Sequence, residues 1–355
     1  MHQGLMRSTR VLRRMGKMNW YDRFRGDESF QSVMSGYRRE NDKIDFDKCY
    51  ALIRRLTFDF VDKGWETEDS IAKKGFSLGS FLYSFLHFED SGKKIYKVSQ
   101  GLSDLLLNTN IKGVDFEMVR CPYKAILLET PPIRVSKDIV AVNILLVDEG
   151  DNIMLVFLED VGEMSGAGPL YDFYHLRKFI VSIRKEFDSV EEGIDDSISV
   201  VENNPHLCGK GWKIDDIKEH RDSLVKAMCY AVNILMYITG VESCIKEVDE
   251  ALDLRRKLNR LKGSKRAKWQ RKIDRVPMPY RLLGADIVLS RQEKDIYDKY
   301  REETGRKVAV RFTVQGHWRK QAYGEGWAKH KNLWIRPYWK GPEFAEVVNR
   351  AHTVK

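Results

Sequence analysis

Residues 141–158 read AVNILLVDEGDNIMLVFL, and the rest of the architecture is arranged around them. Two apolar runs, Ala141–Val147 and Ile153–Leu158, flank Asp148-Glu149-Gly150-Asp151-Asn152. Short runs rich in Val, Ile and Leu, joined by a polar connection containing Gly, predict a β-hairpin. Working outward, Lys124–Glu129 (KAILLE) is bounded by Pro122 and by Pro131-Pro132 and reads as a third strand. Tyr174–Ile183 continues the sheet. Beyond it, Ile214–Thr239 opens on Asp215 and Asp216 and closes at Gly240, as a capped helix does. Ile217, Leu224, Met228, Val232, Leu235 and Ile238 trace one face of it, and its second half, AVNILMYIT, is nearly all apolar. That composition predicts a core helix lying against the sheet.

The flanks differ from this centre. Asp47–Asp62 carries Cys49, Leu52, Ile53, Leu56 and Phe60 at helical spacing and stops before Gly64. Phe76–Phe88 adds a second apolar segment with Phe81, Tyr83, Phe85 and Phe88, and His87 at its end reads as a packing or solvent-facing histidine rather than a ligand. The expected fold class is α+β: a helical N-terminal section, a central antiparallel sheet packed on a long apolar helix, and a basic C-terminal helix plus β-hairpin module. The expected divisions are a basic, disordered arm at 1–25 (with Met18 as an alternative start), helices at 26–113, the α+β domain at 114–250, a basic linker at 251–275 and the module at 276–355. Ser165-Gly166-Ala167-Gly168-Pro169 has no phosphate-loop lysine and reads as a turn, and Gly284–Glu303 reads as a charged helix.

Charge is distributed unevenly. Residues 251–355 hold 27 Lys+Arg against 11 Asp+Glu, whereas the preceding residues hold 34 against 41. Basic character is therefore local, which suits a field aimed at a partner rather than general solubility. Between Arg255 and Arg275 stand eleven Lys/Arg and one acid, Asp274. Arg255, Arg256, Lys257, Arg260, Lys265, Arg266, Lys268 and Arg271 become candidates for a loop or helix extension that orders on a polyanion, with a solvated charged face as the alternative. Five widely spaced cysteines without a CxxC predict reduced thiols in a cytoplasmic setting. No Cys/His cluster has ligand spacing, so neither a metal nor a cofactor is expected. No apolar run reaches bilayer length, so no membrane is expected.

The densest chemistry lies in Val308–Glu343, where Trp318, Trp327, Trp334 and Trp339 alternate with cations. Arg311, Arg319, Lys320, Lys331, Arg336 and Lys340 stand beside them, with His317, His330, Tyr323 and Tyr338. Strand alternation predicts a hairpin with Tyr323–Lys331 as its connection. One face would then gather His317, Arg319, Trp334, Arg336 and Tyr338. Such a face can stack bases and grip phosphates. Trp318 and Trp339 join the candidates, although tryptophans at this density also serve as the core of a small hairpin. A metal-independent ribonuclease draws on the same residues: His317 and His330 as base and acid, Arg336 and Lys340 on the phosphorane.

Tyr280-Arg281-Leu282-Leu283-Gly284, then Gly316-His317-Trp318, Tyr323-Gly324 and Trp334-Ile335-Arg336-Pro337, together resemble the anti-CRISPR VA-two-like family of phages and mobile elements. The likeness is closest over the last third of the chain. That family includes an inhibitor of a type V-A effector, and the likeness implies suppression of a target protein's production at the level of its translated message, with recognition of a nascent chain. The expected partner is RNA or a ribosome/nascent-chain complex in the bacterial cytoplasm. The alternatives are the ribonuclease and a protein-binding inhibitor whose tryptophans form a contact hot spot on a specific target protein.

Overall fold

The computed structural model describes residues 21, 25, 28–39, 43–49, 51, 70–136, 139–159, 178–203, 218–240, 245–273, 276–287 and 312–340. The first helices are α1 (Glu28–Ser35) and α2 (Ser70–Asp90). Strand β1 (Ile95–Val98) and helix α3 (Gln100–Leu107) follow. Strands β2 (Ala125–Arg134), β3 (Val140–Asp148), β4 (Asn152–Glu159) and β5 (Lys178–Arg184) form an antiparallel meander. Helices α4 (Val190–Asn203) and α5 (Arg221–Gly240) come next. After them run β6 (Ile245–Val248), α6 (Leu252–Leu258), α7 (Gly263–Ile273) and β7 (Tyr280–Leu283).

Seven strands make one sheet in the order β5-β4-β3-β2-β1-β7-β6. The expected hairpin is present, with Ile144 opposite Phe157 and Leu146 opposite Leu155. Its turn is tightened by Asp148, whose carboxylate accepts the N–H of Gly150 at 3.0 Å, and Gly150 takes φ +91°. The sheet is mostly antiparallel, but β1 runs parallel to both of its neighbours, β2 and β7. A parallel pair needs a long crossover, and α3 lies within the one that joins β1 to β2.

Successive residues of each strand enter opposite cores. Ile126, Leu128, Ile144, Leu146, Leu155 and Phe157 face α3, α4 and α5. Ala125, Leu127, Leu145, Val147, Val156 and Leu158 face Phe81, Phe85 and Phe88 of α2. The strands read as unbroken apolar runs because helices cover both faces. α5 is long and apolar enough to cross a membrane by length and composition, yet Tyr230, Ala231, Ile234, Leu235, Met236 and Tyr237 are fully buried in the core. His87 packs as expected, stacked on Phe46 at 4.2 Å and edge-on to Tyr83 at 4.4 Å. Burial, aided by the charge of Lys124, pulls its pKa down to about 4.

Several expected boundaries dissolve. β1, from the supposed helical section, and β7, from the supposed C-terminal module, are neighbours inside the central sheet. Neither residue 113 nor residue 276 separates two cores, because strand pairing across them is continuous. Tyr21, within the expected disordered arm, is buried: it donates to Glu89 Oε1 at 2.6 Å and meets Phe88 edge-on. The expected linker is α6 and α7, which enclose a small core of Ala251, Leu258 and Ile273 with Leu254, Trp269 and Val276. Those apolar contacts hold the two helices against one another. The remainder of the 1–25 arm, most of Asp47–Asp62, the turn at 165–169, all but the start of Gly284–Glu303, and 341–355 lie outside the described residues.

Candidate functional site

Two short ladders follow β7. β9 (His317–Tyr323) pairs antiparallel with β10 (Lys329–Ile335), and β8 (Phe312–Val314) pairs with β11 (Tyr338–Lys340). Residues 324–328 connect β9 to β10, a shorter connection than expected, and that length fixes the register. Trp318 stands opposite Trp334, Lys320 opposite Asn332 and Ala322 opposite His330. His317, Arg319 and Gln321 stand opposite Ile335, Leu333 and Lys331. Opposed residues share a face. Trp334 therefore belongs with Trp318, and not with His317 and Arg319 as strand alternation alone had placed it.

The tryptophan face is the inner one. Trp318 is 5% and Trp334 8% exposed, with ring centroids 6.0 Å apart, and Trp334 meets Tyr237 of α5 edge-on at 5.6 Å. Each buried indole N–H finds an acceptor: Asn233 Oδ1 at 2.8 Å for Trp318, Thr109 Oγ1 at 3.2 Å for Trp334. Asn233, itself buried, donates in turn to the carbonyls of Leu106 and Thr109. These two tryptophans anchor the hairpin to the core and offer no face to a base. Gly316 is required beside them, since a Cβ there would lie 2.5 Å from Thr109 Oγ1.

The histidines do not converge. His317 pairs with Ile335 and His330 with Ala322, so they occupy opposite faces, five residue steps apart along the strands. At about 3.3 Å per residue that is about 17 Å. A base and an acid acting on one phosphate must both lie within hydrogen-bond reach of it, so the paired-histidine ribonuclease is ruled out by the register.

What the hairpin does form, with the end of α5 and the turn Phe116–Met118, is an open cleft of about 1100 Å³. Arg120, Lys320, Tyr323, His330, Lys331 and Arg336 line it, with Glu117 as the single acid among the described residues. Asn332 donates to the Met118 carbonyl at 2.8 Å and fixes the hairpin against that turn. Lys320 reaches Glu117 at 3.4 Å, an exposed pair that is worth little in water. Lys331 lies over the Tyr323 ring and Arg336 over Trp334, so cations and aromatics are already paired within the wall. Four Lys/Arg against one Glu make the cleft a ready acceptor of anionic groups.

Other expected residues are scattered. Arg319 is exposed on the opposite face of β9, and Tyr338 is exposed on β11. The backbones of Trp339 and Lys340 pair with Thr313 and Phe312 in the small ladder; their side chains, and all of Arg311, lie outside the described residues. Arg255 is committed to Asp249 at 2.7 Å. Arg256, Lys257, Arg260, Lys265, Arg266, Lys268 and Arg271 are exposed on α6, α7 and their connection. The sequence reading passed over Arg120, which enters the cleft from a loop two hundred residues upstream. Trp327, 67% exposed at the hairpin tip, stood outside the nucleic-acid candidates.

Among the described residues no group of three or more His, Cys, Asp or Glu is placed to hold a metal ion. Cys49, Cys121 and Cys229 are unpaired, and burial pushes their thiols up to about 11, 12 and 12, which keeps them protonated at neutral pH.

A family model described as AcrVA2-like, the anti-CRISPR type V subtype A2 family, matches residues 96–342. That match runs from β1 to beyond β11, well upstream of the last third in which the likeness is closest. A crystal structure of AcrVA2 is similar to 95% of this chain and 99% of that one, at 13% identity and a TM-score of 0.40. No curated protein matches.

Proposed function

Because the chain belongs to the anti-CRISPR type V subtype A2 family, we propose that it is a phage- or mobile-element-encoded inhibitor of a type V CRISPR system that acts by binding rather than catalysis. In this reading it works in the bacterial cytoplasm and lowers production of its target by engaging RNA or a ribosome/nascent-chain complex. The observation that carries the binding half is the cleft between the hairpin and the end of α5, with Arg120, Lys320, Lys331 and Arg336 around one glutamate. Phosphate groups satisfy such a wall through charge-assisted hydrogen bonds, and affinity gained that way falls steeply with salt.

The test is a titration of the purified chain with labelled single-stranded RNA across a range of salt. Salt-sensitive association that weakens in the Arg120→Glu, Arg336→Glu double variant supports the reading. No association at low salt overturns its RNA part. A parallel assay in cells follows effector protein made from a reporter message, which should fall with the native chain and recover with the double variant.

One observation favours a second reading, a protein-binding inhibitor without nucleic-acid contact. Trp327 and Tyr338 are exposed aromatics, 67% and 46%, of the kind that form interface hot spots. Target capture that survives nuclease treatment and is lost in Trp327→Ala selects it.

A further inference from the structure

Helices α6 and α7 hold the chain's entire net charge. Residues 252–273 contain ten Lys/Arg and one acid, a surplus of nine that equals the +9 of the whole protein; the other residues carry 51 charges of each sign. One of the ten cations, Arg255, is neutralised by Asp249. The other nine are exposed: Arg256, Lys257 and Arg260, Lys262 in the connection, and five on α7. The sole acid, Asp253, is exposed and stands 3.7 Å from Arg256. A solvated helix face normally mixes both signs and gains from pairs three and four residues apart. Here like charges stand side by side over a core of three buried residues.

The arrangement on α7 is regular. Lys265, Lys268 and Lys272 are spaced three and four residues apart and fall on one line of a helix about 16 Å long. Trp269, half-buried between α6 and α7, lies under two ammonium groups, Lys257 Nζ at 5.8 Å and Lys272 Nζ at 4.6 Å from its ring. The indole therefore positions cations from both helices and offers no free platform for a base. Without a stacking platform a surface does not favour single strands, whose binding draws on base–aromatic contact. A rigid row of cations instead suits a duplex backbone, where phosphates are dense and bound counterions are released.

From these features we infer that α6 and α7 form a second, separate nucleic-acid surface that grips the backbone of double-helical RNA without reading its sequence. The choice of RNA rests on the proposed action at a message or ribosome, and the wide, shallow groove of A-form RNA admits recognition by shape and backbone alone. The cleft would then take the specific partner while this surface holds the chain on structured RNA nearby.

The experiment measures anisotropy of the full chain with a short RNA duplex, its single strand, the matching DNA duplex and poly-glutamate, over a range of salt. The duplex RNA is expected to bind most tightly. In the Lys265→Gln, Lys268→Gln, Lys272→Gln variant, the slope of log affinity on log salt should shrink by about 0.9 per lost contact, about 2.7 in all. The corresponding triple arginine variant should keep the native slope. Arg120→Gln with Arg336→Gln should leave duplex binding unchanged. The inference is overturned if the triple glutamine variant binds the duplex with the native slope, or if the cleft variant alone abolishes duplex binding. It is equally overturned if the DNA duplex or poly-glutamate binds as tightly as the RNA duplex. Failure of the cleft reading looks different: the cleft variants then inhibit effector production normally while duplex binding persists.

Discussion

Trp318 donates its indole N–H to Asn233 Oδ1 at 2.8 Å, a contact between residues 85 positions apart that ties the outlying hairpin to the middle of the central helix. Both partners are buried, so neither can turn to water. In Trp318→Phe the aromatic packing is largely kept while the Asn233 oxygen loses its donor. The expected loss is about 1–3 kcal/mol of folding stability, measured by urea unfolding. Asn233→Leu removes the acceptor and also the amide's two bonds to the carbonyls of Leu106 and Thr109, so it should cost more.

Two of the hairpin's tryptophans should separate cleanly. Trp334→Ala opens a cavity beside Tyr237 and should destabilise the fold by about 3–5 kcal/mol. Trp327→Ala, at an exposed tip, should stay within about 0.5 kcal/mol of the native chain. Thermal unfolding of the two variants side by side checks this.

Gly316→Ala places a Cβ 2.5 Å from Thr109 Oγ1 and 2.8 Å from Pro337 Cδ. Overpacking of that kind should cost about 1–3 kcal/mol and loosen the hairpin selectively. Hydrogen exchange of β9 and β10 amides should rise while β3 and β4 stay protected.

His87 should make stability depend on acidity. Its pKa is lowered from 6.5 to about 4 in the folded chain, chiefly by burial. Between those values the unfolded chain binds the extra proton, so stability rises with pH there and falls as the solution is acidified from about 6.5 towards 4. The contribution, on the order of 3 kcal/mol, is complete above the unfolded pKa. Unfolding midpoints of native and His87→Phe chains should converge or cross as pH drops through that window.

Purified protein incubated with labelled RNA in EDTA should leave it intact. His317 and His330 lie on opposite faces of the hairpin, and neither has the other as an acid–base partner. Cleavage lost in both His317→Ala and His330→Ala would contradict that geometry.

Local chemistry explains what was legible in the sequence. The β3–β4 hairpin was readable because Asp148 and Gly150 encode its turn and the apolar runs encode its strands. α5 was readable because its apolar stretch is long. The parallel pairing of Tyr96 with Arg281 was not, since it joins residues far apart in sequence through a four-residue strand with no periodicity to speak of. The facing of Trp334 was misread for a smaller reason. Alternation within each strand does not say which residues stand opposite one another, and it is the pairing of Trp334 with Trp318 that decides the face. The helices of the basic segment were hidden by their charge, although Leu258, Trp269 and Ile273 carried the apolar signal that holds them together.

The anchoring of the hairpin also has a meaning in time. β2 to β5 can pair as soon as residue 184 has been synthesised, and α5 can lie on them some fifty-five residues later. Asn233 then waits 85 residues for Trp318, and Tyr237 waits nearly a hundred for Trp334, one amide and one ring uncovered. The same late segment completes the basic cleft. A chain cut short by a premature stop therefore lacks both the lid on its core and one wall of its cleft.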